Sequence, residues 1–308
     1  MTSSRQRHQV AVVIVAYNSA GTIRDCLAGV LDHSLATKVI VVDNSQDSAT
    51  SKIVISVGEA DSRVTYISAP RNLGFAGGCN LGAEHVTNSP FIAFINPDVS
   101  LNMPLDDLVD VAKASDVAIV AARLTSSRDK AGVNARPRAT ITRELLNALV
   151  GTRAYRINLS LCPRVGTIGR RVDQLDGALL VMETEVFHAL GGFDERFELY
   201  YEDVDICVRA GFLGGCVLLD VQCGTHVGGV SSSSVSALAF CLLKVSRVRY
   251  LRKHYAFPGV GLLAALIACL EFVTRSVGRK SEGAVARRQA LTLQLTEVRR
   301  PGSANLLR

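Results

Sequence analysis

Three acidic positions or clusters and one histidine have types and spacings suited to chemistry. In FIAFINPDVSL, residues 91–101, an apolar run ends on Asn96-Pro97-Asp98. A carboxylate there can hold a hard divalent cation together with ligand phosphates, or it can cap the turn that follows. Asp43, in VVDNSQD, stands where an α/β nucleotide-binding half places an acid that bonds ribose or base, and it also suits a turn supported by Asn44 and Ser45. Glu202-Asp203-Val204-Asp205 sets three acids within four residues beside Tyr200 and Tyr201. Crowded carboxylates repel, so at least one keeps its proton to higher pH and can serve as a base near neutrality; acids at a helix start also gain from the helix dipole. His226, in THVGGVSS, is either structural or a second ligand to a cation at Asp98.

These groups need a scaffold that brings them together. Over residues 1–122, β-branched runs (VAVVIVAY, KVIVVD, RVTYIS, FIAFIN, VAIVAA) alternate with amphipathic stretches at 19–33, 48–60, 74–88 and 104–114. Such alternation predicts a mostly parallel, Rossmann-like α/β sheet, and near-continuous apolar strands predict helices on both faces. Ligands bind such sheets beyond the carboxyl ends of the strands, which singles out Tyr17-Asn18, Asp43-Asn44, Pro70-Arg71-Asn72 and Asn96-Pro97-Asp98. Between Asn72 and Asn80, NLGFAGGCN is glycine-rich and opens a helix, so its backbone N–H groups can approach a nucleotide or phosphate. It is not G-x-G-x-x-G and follows the third strand, which disfavours a dinucleotide fold.

Residues 123–234 complete this domain, with loops and short helices to 171 and then a compact stretch holding DGALLVM, the acid cluster and CVLLDVQCGTHVGG. Residues 235–308 read as a helical, basic region. Its first helix carries Lys244, Arg247, Arg249, Arg252 and Lys253, followed by the uncharged run His254–Leu270. That run is short for a spanning helix and suggests one lying in a membrane surface.

The formal charge of +6 is uneven: thirteen Lys or Arg face three acids over residues 244–308, and eleven face two over 123–171. Basic segments on an acidic body suggest a polyanionic partner. With no tryptophan and no nucleic-acid-binding motif, an anionic membrane surface is favoured over nucleic acid. Eight scattered cysteines without paired spacing read as reduced thiols in a cytosolic protein, and the polar MTSSRQRHQ leader predicts no export signal.

Taken together, VVIVAYNSAGTIRDCL, VIVVDNSQD, RNLGFAGGCNLG, FINPDV, GGFDERFELYYEDVDICVRAG and HVGGVS resemble the inverting, metal-dependent nucleotide-sugar glycosyltransferases of the A-type fold, in their rhamnosyltransferase-like branch. The similarity covers roughly residues 10–255 in order. It implies that Tyr17, Asn18, Asp43, Arg71, Asn72 and Gly74 line the donor site. The family's Asp-x-Asp motif stands here as Asn96-x-Asp98, one acid replaced by an amide. The resemblance gives Asp98 and His226 to a Mn²⁺ or Mg²⁺ ion and Asn96 to metal or sugar. It makes Asp203 the catalytic base with Glu202 beside it, and puts Asp176, Gly177 and Asp205 near the acceptor. Asp194 and Glu195 are expected to shape their loop.

The implied reaction moves L-rhamnose from dTDP-L-rhamnose to a polyprenyl-diphosphate-linked N-acetylglucosamine in cell-wall linker assembly, by a peripheral enzyme at the cytoplasmic face of the plasma membrane. Transfer of another hexose, such as galactofuranose from UDP, and an inactive nucleotide-binding membrane scaffold are the competing readings. Residues 256–308 either touch lipid or pair with another subunit as a homo-oligomer.

Overall fold

The computed structural model describes residues 9–33, 36–45, 48–114, 116–126, 132–150, 156–227, 236–255, 257–276 and 284–299. The order begins β1 (Val10–Ala16), α1 (Ile23–His33), β2 (Ala36–Asp43), α2 (Ala49–Ala60), β3 (Val64–Ser68), α3 (Gly74–Glu84), β4 (Phe91–Ile95), β5 (Val99–Leu101), α4 (Asp106–Ala114) and β6 (Ile119–Thr125). It continues with β7 (Ala135–Arg136), α5 (Ile141–Val150), a 3₁₀ turn, β8 (Arg164–Val165), β9 (Gly169–Val172), β10 (Gln174–Leu175), β11 (Leu179–Glu183), α6 (Thr184–Ala189), α7 (Glu202–Ala210) and β12 (Cys216–His226). Three helices follow: α8 (Ser236–His254), α9 (Val260–Ser276) and α10 (Ala284–Arg299).

One sheet runs β3-β2-β1-β4-β11-β6-β12-β9-β8, with β5 added to the end of β12. Strands β3, β2, β1 and β4 are parallel, and β11 enters antiparallel between β4 and β6. All seven residues of β1 are buried, because both faces are covered. Val12 and Ile14 join the layer holding Ile23, Leu27, Val54 and Leu108, while Val13 and Val15 join Ala76, Cys79, Phe187 and Ile206 on the other face. The boundary expected at residue 122 falls inside β6, so both halves share this sheet.

The glycines of α3 have a packing cause. A Cβ on Gly78 would stand 2.6 Å from a methyl of Val15, and one on Gly82 would collide with Val13. The helix therefore lies close on β1, and these two glycines serve that contact, not the approach of a phosphate. Gly74 differs: its φ is +74°, and a Cβ added there would collide with the Glu198 carbonyl at the cleft wall.

The C-terminal helices correct the charge argument. Along α8, Lys244 and Arg247 pair with Glu271 of α9 at 2.6 and 2.7 Å. Arg249 meets Glu297 of α10 at 3.1 Å, Arg252 donates to the Glu297 carbonyl, and Lys253 pairs with Asp194 and Asp205 at 2.6 Å each. Four of these cations neutralise acids within the protein and Arg252 bonds a backbone carbonyl, so α8 does not offer them to a membrane. Helix α9 buries Ala264, Ile267 and Ala268 against its neighbours while Leu262, Leu266 and Val273 face outward. Among the described residues no helix is long and apolar enough to cross a membrane.

Removing one partner of a buried ion pair strands the other in a poorly solvating interior. Arg249→Ala leaves Glu198 and Glu297 without that guanidinium, and should lower unfolding free energy by about 3–5 kcal/mol. Urea denaturation measures it as a lower midpoint at an unchanged slope.

Candidate active site

The parallel strands end on one edge, and a two-part cleft opens there. One part, about 300 Å³, is lined by Tyr17, Asn44, Asn72, Gly74, Asn96, Asp98, Glu198, His226 and residues of α8. The other, about 460 Å³, is lined by Arg136, Asn147, Gln174, Asp176, Gly177, Tyr201, Glu202 and Asp203. Phe75, Asn96, Leu199, Tyr200 and His226 line both, making them halves of a single cleft.

Asp98 and His226 meet because β5 and β12 pair antiparallel with His226 opposite Val99. Asp98 Oδ1 lies 3.1 Å from His226 Nε2, and the Val227 N–H donates to the Asp98 carbonyl at 3.0 Å. Two ligands each about 2.1 Å from an octahedral cation sit roughly 3 Å apart when adjacent, so this pair has the bite for one ion. No described residue lining this half is lysine or arginine. The side chains lining this half supply no lysine or arginine as counter-charge for a diphosphate, and Asp98 and His226 are placed so that they could hold a cation that would supply it. Among the described residues no cluster of three or more His, Cys, Asp or Glu could hold a metal alone, which leaves coordination positions for ligand oxygens and water.

The acidic trio divides. Asp203 Oδ2 accepts from the Gly177 N–H at 3.1 Å and Oδ1 from the Val204 N–H at 2.8 Å. Burial, followed by the nearby Asp176 carboxylate, raises its pKa to about 6, against the pull of Arg136 and those two N–H groups. Glu202 is pushed well above the usual carboxylate range by burial and then by Asp203, and its Oε2 is buried without a hydrogen-bond partner. Asp205 turns away from the cleft. Fully buried, it receives Arg209, Lys253 and His254 at 2.6–2.8 Å and ties α7 to α8. The acceptor contact expected of Asp205 does not fit that position; its environment is a structural ion-pair cluster.

The remaining expected residues spread out. Tyr17, Asn72, Gly74 and Asn96 line the first half, and Asp176 and Gly177 the second. Asp43 is 1% exposed, accepting from the Ser45 N–H at 2.9 Å and the Tyr66 hydroxyl at 3.4 Å, and it sits in the wall behind Asn44. Asn18 and Arg71 are exposed and lie outside the lining of both halves. Asp194 and Glu195 hold their loop through Arg196, Lys253 and Asn80.

Sequence reasoning passed over Arg136, Glu198 and the α8 wall formed by Leu238, Leu242 and Leu243. Arg136 lies on a two-residue strand in an arginine-rich stretch without periodicity; its pairing with Asp176 at 2.9 Å is a tertiary fact. The leucines belong to a helix whose basic residues drew attention instead.

The glycosyl transferase family 2 model matches residues 11–173, more than half of the chain. The protein belongs to glycosyl transferase family 2 and is a glycosyltransferase with the A-type fold. It is similar to N-acetylglucosaminyl-diphospho-decaprenol L-rhamnosyltransferase of Mycobacterium tuberculosis, at 28% identity over 66% of this chain and 70% of that protein. It also matches rhamnosyltransferase WbbL of Escherichia coli, at 24% over 67% of this chain and 78% of that one. The low-salt glycan biosynthesis hexosyltransferase Agl10 of Haloferax volcanii is 26% identical over 65% of this chain, which spans 61% of that relative's length. The fold superposes on GalNAc-T7 solved with UDP, GalNAc and Mn²⁺ (TM-score 0.65, 14% identity, 93% of this chain and 55% of that one). It also superposes on the mannosyltransferase PcManGT of Pyrobaculum calidifontis with GDP-Man and Mn²⁺ (TM-score 0.58, 15% identity, 95% and 86%).

If Asp203 is the base, which works only when deprotonated, kcat/KM should climb about tenfold per pH unit up to an apparent pKa of about 6 and then level. Arg136→Gln removes a cation that lowers this pKa, so the limb should move to higher pH. A pH profile of both proteins measures the displacement.

Proposed function

We infer that the enzyme moves a hexose, with L-rhamnose from dTDP-L-rhamnose as the favoured donor, onto a polyprenyl-diphosphate-linked N-acetylglucosamine with inversion at the anomeric carbon. One observation carries this reading: the Asp98–His226 pair and Asp203 border a single cleft from its two halves. The rhamnosyltransferases it resembles favour that donor and acceptor class over the galactofuranose alternative.

Asp98 and His226 would hold the divalent cation, with Asn96 beside them. When bound, that cation supplies the positive charge a departing nucleoside diphosphate needs. Tyr17, Asn44 and Asn72 offer hydrogen-bonding groups along the donor half, and Gly74 leaves space at its wall. Across the cleft, Asp203 takes the proton of the acceptor hydroxyl as its oxygen attacks the anomeric carbon. Attack on the face opposite the leaving diphosphate inverts the configuration. Glu202, which burial and Asp203 incline toward its protonated form, lines the same half, and the Arg136–Asp176 pair at 2.9 Å limits where the acceptor sugar can lie.

For a lipid-linked acceptor, the support is apolar. Leu146, Leu149 and Val150 of α5 and Leu262, Leu266 and Val273 of α9 are exposed on two helices that pack together, and Asn147 of α5 lines the acceptor half. Contact of this face with the cytoplasmic leaflet would bring the cleft near its substrate.

Incubation with labelled nucleotide sugars and membrane lipid extract tests donor and acceptor class together. Label from dTDP-rhamnose should enter the lipid phase; transfer only from another nucleotide sugar would replace the donor assignment, and none from any donor would favour the inactive scaffold. Asp203→Asn should cut single-turnover transfer by about 10²–10⁴ while donor affinity stays within twofold. Near-normal turnover in that variant would refute the base assignment.

A further inference from the structure

The base loop enters α7 through an unusual backbone. Tyr200 and Tyr201 are consecutive non-glycine residues in the left-handed region, with φ of 67° and 70°. Such a conformation persists only where surroundings over-determine it. The Tyr201 carbonyl accepts the first helical bond of α7, from the Asp205 N–H at 2.8 Å, so the tyrosine's setting fixes the direction in which Glu202 and Asp203 start.

Tyr201 is gripped from outside the cleft. Its hydroxyl donates to Glu144 Oε1 at 2.6 Å, and its ring lies against Tyr250 with centroids 5.3 Å apart. Glu144, on α5, is 0% exposed. Arg247 of α8 stands 3.8 Å from its Oε2 and 2.7 Å from Glu271 of α9, which Lys244 also meets at 2.6 Å. A buried carboxylate stays ionised only when cations share its site, and two cations here balance two acids. The resulting chain runs from α9 through α8 and α5 to the residue that precedes Glu202 and Asp203.

We propose that Glu144 is a positioning residue for transfer: through the Tyr201 hydroxyl it holds the left-handed turn that aims Asp203 at the acceptor, with Arg247 beside its other carboxylate oxygen and Arg247 in turn paired with Glu271. This rests on the reading of Asp203 as the base. Nothing in the sequence spacing links position 144 to position 201, and Glu144 reaches the cleft only through the tyrosine. A misaligned base loses rate steeply, with a displacement near 1 Å capable of costing about 10²-fold.

Tyr201→Phe removes only the hydroxyl, leaving the ring stack and the Glu144–Arg247 contact. Glu144→Gln keeps the shape and removes the charge, and Glu144→Asp shortens the reach. Tyr201→Phe and Glu144→Gln should each lower kcat by about 10–10²-fold, with donor dissociation constant within twofold and circular dichroism unchanged. Loosening the turn admits water to Asp203, so the acidic limb of the pH profile should move to lower pH. The groups facing Asp203 there are Glu202 on its own helix, Asp176 on the loop after β10, Arg136 on β7 and Tyr201 itself. Glu144→Asp should recover part of the rate.

Should Glu144→Gln fail to fold, Tyr201→Phe still decides. Folded Tyr201→Phe with wild-type kcat and an unmoved limb overturns the proposal. The Asp203→Asn control separates the two failures: near-normal turnover in that control sinks the base assignment, while an inactive control beside a fully active Tyr201→Phe sinks the positioning role alone.

Discussion

The absence of any described lysine or arginine from the half of the cleft that holds Asp98 and His226 is the constraint on which the site turns. The donor half presents amides, a tyrosine, a glutamate and the Asp98–His226 pair, and no described cationic side chain. In the proposed reading the counter-charge for a nucleoside diphosphate arrives as an ion held by Asp98 and His226. That reading accounts for the carboxylate that follows the fully buried strand β4, and for the eleven residues of β12, whose end carries His226 past the sheet to pair with the segment after Asp98. The edge pairing of β5 with β12 sets the two side chains 3.1 Å apart.

The acceptor half solves the opposite problem, keeping one carboxylate available near neutral pH without stranding it. Two backbone N–H groups and Arg136 favour the ionised form of Asp203, while burial and Asp176 oppose it. Asp205, two residues on, faces His254, Arg209 and Lys253, and through them its carboxyl is held below the ordinary range despite burial. Neighbouring acids of one helix thus take separate roles from their surroundings. The C-terminal helices supply much of those surroundings: α8 provides a wall of the cleft, the partners of Asp205, and the cations beside Glu144 and Glu198.

How much of this the chain reveals depends on the range of each interaction. The strands β1 to β4 and β6, and helices α1 to α4, follow from runs and spacings a few residues long, and they fall where those patterns put them. Asp98 and His226 were visible because each stands at the end of a strand, and Asp203 because it lies in a cluster of three acids within four residues. Gly78 and Gly82 of α3 have a packing reason that the sequence did not reveal, since close approach to Val15 and Val13 and approach to a phosphate call for the same residue, while Gly74 lines the cleft. The cations of α8 were also misread: a helix bearing Lys244, Arg247 and Arg249 looks solvent-facing until acids 24 to 48 residues away fold against it. Arg136 and Glu144 had no local signal at all, because their partners Asp176 and Tyr201 lie 40 and 57 residues along the chain.

Manganese itself provides the most direct measurement of the central claim. In electron paramagnetic resonance, the signal of free Mn²⁺ should fall as protein and dTDP or UDP are added together, reaching one ion per chain, and should fall far less with protein or nucleotide alone. Asp98→Ala and His226→Ala should each weaken that joint uptake by at least an order of magnitude. Nucleotide diphosphate binding as tight without any divalent cation as with it, or joint uptake unchanged in Asp98→Ala, would contradict the account.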